Sequence, residues 1–99
     1  MLEKTPTAKG KKVTVVFTLP ADVQAKTAAL VGDFNGWSHD SHPMKRAKDG
    51  SFSLKVTGLE AGQSYRFRYL LDGDRWENDW QADGYLPNEF GSEDSVLQL

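Results

Sequence analysis

A chain of 99 residues with no cysteine and a formal charge of −2 is the length of one ordinary domain, with room for a single modest core and none for a catalytic barrel or two lobes. Twelve Lys plus Arg against fourteen Asp plus Glu leave no basic surplus to grip a phosphate backbone, so no nucleic-acid partner is expected. The lack of cysteine excludes a disulfide framework and a thiolate zinc site, and there is neither a signal-peptide h-region nor a membrane-spanning apolar run. No membrane association and a cytoplasmic location are the resulting expectations.

The first twelve residues, MLEKTPTAKGKK, carry lysines and no periodic apolar face, which predicts a disordered basic leader over 1–12 and one folded domain over 13–99. VTVVFTL (13–19) sets Val13, Val15, Phe17 and Leu19 against Thr14, Val16 and Thr18, the two-residue period of a strand, and Pro20 ends it. TAALVGDF (27–34) reads as a second strand running into glycine. PMKRAKDGSFSLKVTGL (43–59) reads as a hairpin about a two-residue type I′ turn at Asp49-Gly50, with Phe52, Leu54 and Val56 facing the core. After the EAGQ turn, SYRFRYLL (64–71) puts Tyr65, Phe67, Tyr69 and Leu71 on one face and Arg66, Arg68 and Leu70 on the other, and Asp72-Gly73 reverses the chain. A last strand is expected over DSVLQL (94–99). Recurrent turns without a helical period predict an all-β, immunoglobulin-like antiparallel β-sandwich.

Most chemical constellations fail on inspection. His39 and His42 in HDSH have no third ligand nearby, so a solvated loop and no metal are expected. DGDRWEND (72–79) begins like a calcium loop, but Trp76 takes the fifth ligand place and Glu77 the place of the sharp-turn glycine. Neither a nucleophile elbow nor a glycine-rich phosphate loop occurs, and a sandwich of this size offers little depth for a carboxylate pair. The chain therefore reads as non-catalytic and without a cofactor.

What remains is aromatic. Phe17, Phe34, Phe52, Tyr65, Phe67 and Tyr69 lie on inward strand positions, where core packing explains them. Trp37, Trp76 and Trp80 each follow a turn and sit among polar residues. Any one of them could lid the core; three together suggest a ligand surface, because a rigid indole costs little entropy to present. A flat apolar ring beside hydrogen-bonding groups suits a pyranose, which has apolar faces and a rim of hydroxyls.

GDFNGW (32–37), RFRYLLDGDRW (66–76) and FGSEDSVLQL (90–99) resemble the early-set domain at the N-terminus of isoamylases and branching enzymes. This is the group of family 48 carbohydrate-binding modules that includes the glycogen-binding domain of the AMP-activated protein kinase β subunit, and the likeness extends to short bacterial proteins made of this domain alone. The resemblance implies binding of α-glucans such as glycogen, starch and maltooligosaccharides. It places two stacking walls on Trp37 and Trp76, puts a sugar-bonding strand lysine on Arg68, and casts Phe90 as the apolar group that enters the glucan coil. A sugar-contacting Asn falls on Asp94, where a carboxylate can accept but not donate. Trp80 has no clear counterpart and is read as packing, and the alternative for Arg68 is a salt bridge.

Such modules are usually attached to glycoside hydrolase family 13 enzymes, so a hydrolase reading comes from that company and not from these residues. The rival reading is a protein-interaction module that docks on a glycogen- or starch-active enzyme. Segment 72–94, with eight acids and one arginine for a net charge of −7, could meet a basic partner, although solubility is the simpler account of it. A monomer is expected in either case.

Overall fold

The computed structural model describes residues 2–7 and 9–99. Its strands, in chain order, are β1 (Leu2–Pro6), β2 (Lys12–Leu19), β3 (Ala28–Gly32), β4 (Lys45–Arg46), β5 (Phe52–Glu60), β6 (Ser64–Leu71), β7 (Arg75–Glu77), β8 (Gly84–Pro87) and β9 (Glu93–Gln98). One sheet has the order β1-β2-β5-β4 and the other β3-β6-β9-β8, with β7 pairing β6 beyond the end of β9. All pairings between these strands are antiparallel. The result is an all-β immunoglobulin-like antiparallel sandwich, with no α-helix among the described residues.

The alternation read in the sequence sets the core. Val13, Val15, Phe17 and Leu19 of β2 face Phe67, Tyr69 and Leu71 of β6, all buried. Phe17 meets Phe67 edge-on, centroids 5.2 Å apart, and Phe67 meets Tyr69 likewise at 5.6 Å, the arrangement the ring quadrupole favours. Along β5, Phe52 and Val56 are buried and Leu54 partly so, as the two-residue period requires. That period would turn Leu59 outward. Between Val56 and Leu59 the register with β2 gains a residue on β5, and Gly58 takes φ +76. This bulge returns Leu59 to the core.

Three expectations are corrected. Residues 2–6 of the supposed leader form an edge strand with Leu2 opposite Phe17 and Pro6 opposite Val13. Lys4 ties this strand to the other sheet through Asp83 Oδ2 (2.6 Å) and the Gln98 carbonyl (3.0 Å); backbone pairing holds LEKTP even though neither face is apolar. Met1 and Ala8, also in the leader, lie outside the described residues. The turn at Asp49-Gly50 is not type I′, since Gly50 has positive φ and Asp49 does not. Ala47 N bonds Ser51 O (2.8 Å) and Gly50 N bonds Ala47 O (3.0 Å), which makes a three-residue loop with glycine in the left-handed place. The first arm of that hairpin also divides: Lys45–Arg46 pairs β5, while Pro43 bridges to Ala29 of β3.

Candidate functional site

Each residue of GDFNGW has a separate task. Gly32 runs so close to β6 that a Cβ there would lie 2.5 Å from the Arg66 carbonyl oxygen and 2.8 Å from Phe67 Cβ. Phe34 packs on Phe17 and Tyr65. Asn35 knits the turn: its Oδ1 accepts from Gly32 N (3.1 Å), and its amide donates to Leu30 O (3.0 Å) and His42 Nδ1 (2.9 Å). Gly36 and Trp37 then take φ +65 and +61, the second of which is rare for a bulky side chain. Two bonds fix this reversal. Trp37 N donates to Gly32 O (2.9 Å), and the indole Nε1 donates to Asp33 Oδ1 (3.0 Å), whose other oxygen accepts from Arg66 N (2.8 Å). The Trp37 indole is thereby tied to the middle of β6.

Trp76 stands on β7 opposite Leu70, on the same outward face of β6 as Arg66 and Arg68. The turn before it is anchored by Asp72, which adopts φ +53, as aspartate tolerates better than most residues. Asp72 Oδ1 accepts from Lys26 N (2.7 Å) and Thr27 N (3.0 Å). Those bonds, from Thr27 first and then Lys26, hold its carboxyl below the ordinary 3.8. Trp76 is 38% exposed. The Arg68 guanidinium lies over its ring, 5.6 Å from the centroid, and His39 meets it edge-on at 5.3 Å. Among the described residues no acid forms an ion pair with Arg68, and its buried Nε has no hydrogen-bond partner. The salt bridge weighed for Arg68 is thus replaced by a ring contact.

Phe90, on the loop between β8 and β9, is 84% exposed, and Asp94 at the start of β9 is 6% exposed. Both Asp94 oxygens are engaged: Oδ1 accepts from Asn88 Nδ2 (3.0 Å) and Oδ2 faces Arg66 Nη1 (3.5 Å).

Trp37, Arg68, Trp76, Phe90 and Asp94 all line one open groove of about 760 Å³. The structure brings together every site residue expected from the sequence. It adds Asp33, His39, Arg66, Pro87, Asn88 and Glu89 to the lining. Arg66 was legible in principle, two residues before Arg68 on the same face. The tasks of Asp33, His39 and Asn88 depend on partners distant in sequence or on turn geometry and left no pattern. HDSH is not a featureless solvated loop, since His42 is half-buried against Phe34 and Asn35 while His39 serves Trp76. Trp80 does not line the groove and is 50% exposed, its Nε1 3.4 Å from Glu77 Oε1.

Next to Trp80, Asp79 is buried beneath the sheet. It accepts from the Tyr69 hydroxyl (2.7 Å), and its amide donates to Ser95 Oγ (2.9 Å). Burial and the Asp79 carboxylate push the Tyr69 hydroxyl well above its ordinary 10.0. These bonds fix the segment between β7 and β8 from below.

Comparison with known families gives a match to carbohydrate-binding module 48, the isoamylase N-terminal domain, over residues 4–86. The chain belongs to family 48 of the carbohydrate-binding modules. This family 48 module is 31% identical over 90 residues, 89% of its length, to a 1,4-alpha-glucan branching enzyme of Photobacterium profundum. It is 39% identical over 57 residues to the enzyme of the same name from Butyrivibrio fibrisolvens, and 38% over 63 residues to that of Thiobacillus denitrificans. The matched regions are 12%, 9% and 8% of those enzymes, so the module corresponds to a small part of each. The family match begins within β1, which agrees with counting that strand in the fold. No helix among the described residues is long and apolar enough to cross a membrane.

Proposed function

We propose that this module binds α-glucans without turning them over, in the groove between Trp37, Trp76 and Phe90. The observation that carries this reading is the convergence of two indoles and an exposed Phe ring in one open groove with a guanidinium in its wall. Pyranose rings stack by their C–H faces on Trp37 and Trp76, Phe90 enters the curve of the glucan chain, and the free nitrogens of Arg68 donate to hydroxyls. Asp94 lies at the groove with both oxygens already engaged inside the protein. The branching-enzyme relatives supply the substrate class, since their names specify 1,4-alpha-glucan. The same reading takes the chain as a cytoplasmic monomer.

An open, wet site gives modest affinity, with a dissociation constant of about 10 µM to 1 mM, on the order of −7 to −4 kcal/mol. The test is titration with maltoheptaose or β-cyclodextrin, followed by indole fluorescence. Saturable change is expected, and its absence at about 10 mM ligand with the fold intact rejects the site.

A second reading, docking on a glycogen- or starch-active enzyme, has one observation in its favour: Trp80, Tyr85 and Leu86 are exposed apolar groups outside the groove. Its acidic argument is weakened, because of the eight acids of 72–94 Asp79 and Asp94 are buried and Asp83 is paired with Lys4. Pull-down with and without maltoheptaose separates the readings, since a purely docking module is indifferent to sugar.

A further inference from the structure

No burial holds Phe90 in place: its side chain is 84% exposed, so its position depends on polar contacts beneath it. Asn88 Oδ1 accepts from Phe90 N (3.0 Å) and Ser92 N (3.1 Å), Asn88 N donates to Ser92 O (3.0 Å), and Gly91 takes φ +78. The other end of the Asn88 amide, Nδ2, donates to Asp94 Oδ1 at 3.0 Å. Asp94 Oδ2 faces Arg66 Nη1 at 3.5 Å, and that nitrogen also donates to Pro87 O at 3.1 Å. The contacts thus run without a gap from β6 through Asp94 and Asn88 to the tip of the loop.

Both Asp94 oxygens face donors. An amide at this position must turn its NH2 either toward the Asn88 amide or toward the Arg66 guanidinium, donor against donor in each case. The carboxylate is therefore required by its protein neighbours, and the residue that the family resemblance casts as a sugar-contacting Asn is occupied within the protein.

We propose that Arg66, Asn88 and Asp94 form a latch that positions the Phe90 loop at the rim of the groove, with Asp94 acting through its neighbours as a positioning residue and not by touching ligand. What Phe90 then contacts rests on the glucan reading above. The test is Asp94→Asn, which keeps size and supplies the side chain that the resemblance expects. Two readouts are needed: backbone 15N heteronuclear NOEs at Glu89, Phe90 and Gly91, and the dissociation constant for maltoheptaose. The latch predicts that the NOEs fall and that affinity weakens about tenfold. Unchanged NOEs overturn it, and so does affinity equal to or tighter than that of the natural chain, the result expected if residue 94 met the sugar directly. Asn88→Ala, which removes the acceptor for Phe90 N and Ser92 N, must loosen the same loop, and it decides the matter should Asp94→Asn fail to fold. If the natural chain binds no maltoheptaose, the glucan reading fails by itself and the NOEs of the two variants still decide the latch.

Discussion

Both sheets contribute to the core, but their outer surfaces differ. On the outer face of β1-β2-β5-β4, Val16, Lys45, Ser53 and Lys55 line a shallow hollow of about 280 Å³. On the outer face of the other sheet, Arg66, Arg68 and Trp76 are joined by Trp37 and Phe90 around a groove of about 760 Å³. Both faces carry cations, but only one carries rings. The difference lies in what the outward positions and their adjoining turns hold, not in how the strands are built, so the groove should be alterable with the sandwich intact.

Gly32→Ala breaks the comparison most severely, because the added carbon meets backbone and Cβ atoms of β6 and spoils core and groove together. A loss of about 3 kcal/mol or more is expected, measured by urea unfolding. Trp37→Ala and Trp76→Ala, made singly, should each weaken maltoheptaose binding by about 2 kcal/mol with little change in melting temperature, as calorimetry and thermal melts would record.

Acid should separate the two faces by a different route. Asp72, which anchors the turn before Trp76, has its carboxyl held below the ordinary 3.8 in the folded chain. Its stabilising contribution is therefore complete above that value and lost as pH falls through the lower, folded value. The urea midpoint should drop below about pH 4, and Asp72→Asn should flatten the drop. Asp83 acts in the same direction, since burial raises its carboxyl but Lys4 and the Gln98 amide outweigh that and leave it lowered. The smallest effect is expected at Lys55→Ala on the ring-free face: stability within about 0.5 kcal/mol of the natural chain and no change in maltoheptaose affinity. A clear loss of binding there would show that the comparison between faces is drawn wrongly.

The core and the rings were legible from sequence because each is a local signal. The alternation of β2 and β6 depends on neighbours two residues apart, and GDFNGW carries its close-approach glycine, its capping Asn and its outward Trp within six positions. β1 was not legible, since LEKTP has no apolar face and is held by backbone pairing and by Lys4 reaching Asp83 across 79 positions. β8 left no pattern either, because Tyr85 and Leu86 are both exposed at a sheet edge, where alternation disappears. Arg66 could be placed on the correct face by its period, but not its task, because Asp94 lies 28 residues away. Asp94 could be found by resemblance and yet not be understood without its two donors.

The pairing of β1 along β2 has a practical consequence for anyone shortening the chain. A version trimmed to begin at Val13 would leave the N–H and C=O groups of β2 that now meet Leu2–Pro6 unpaired along an open margin of the sheet. Such a margin templates the addition of strands from other molecules. Clumping of the trimmed protein on concentration should then be traced to that uncovered flank before it is blamed on the aromatic groove.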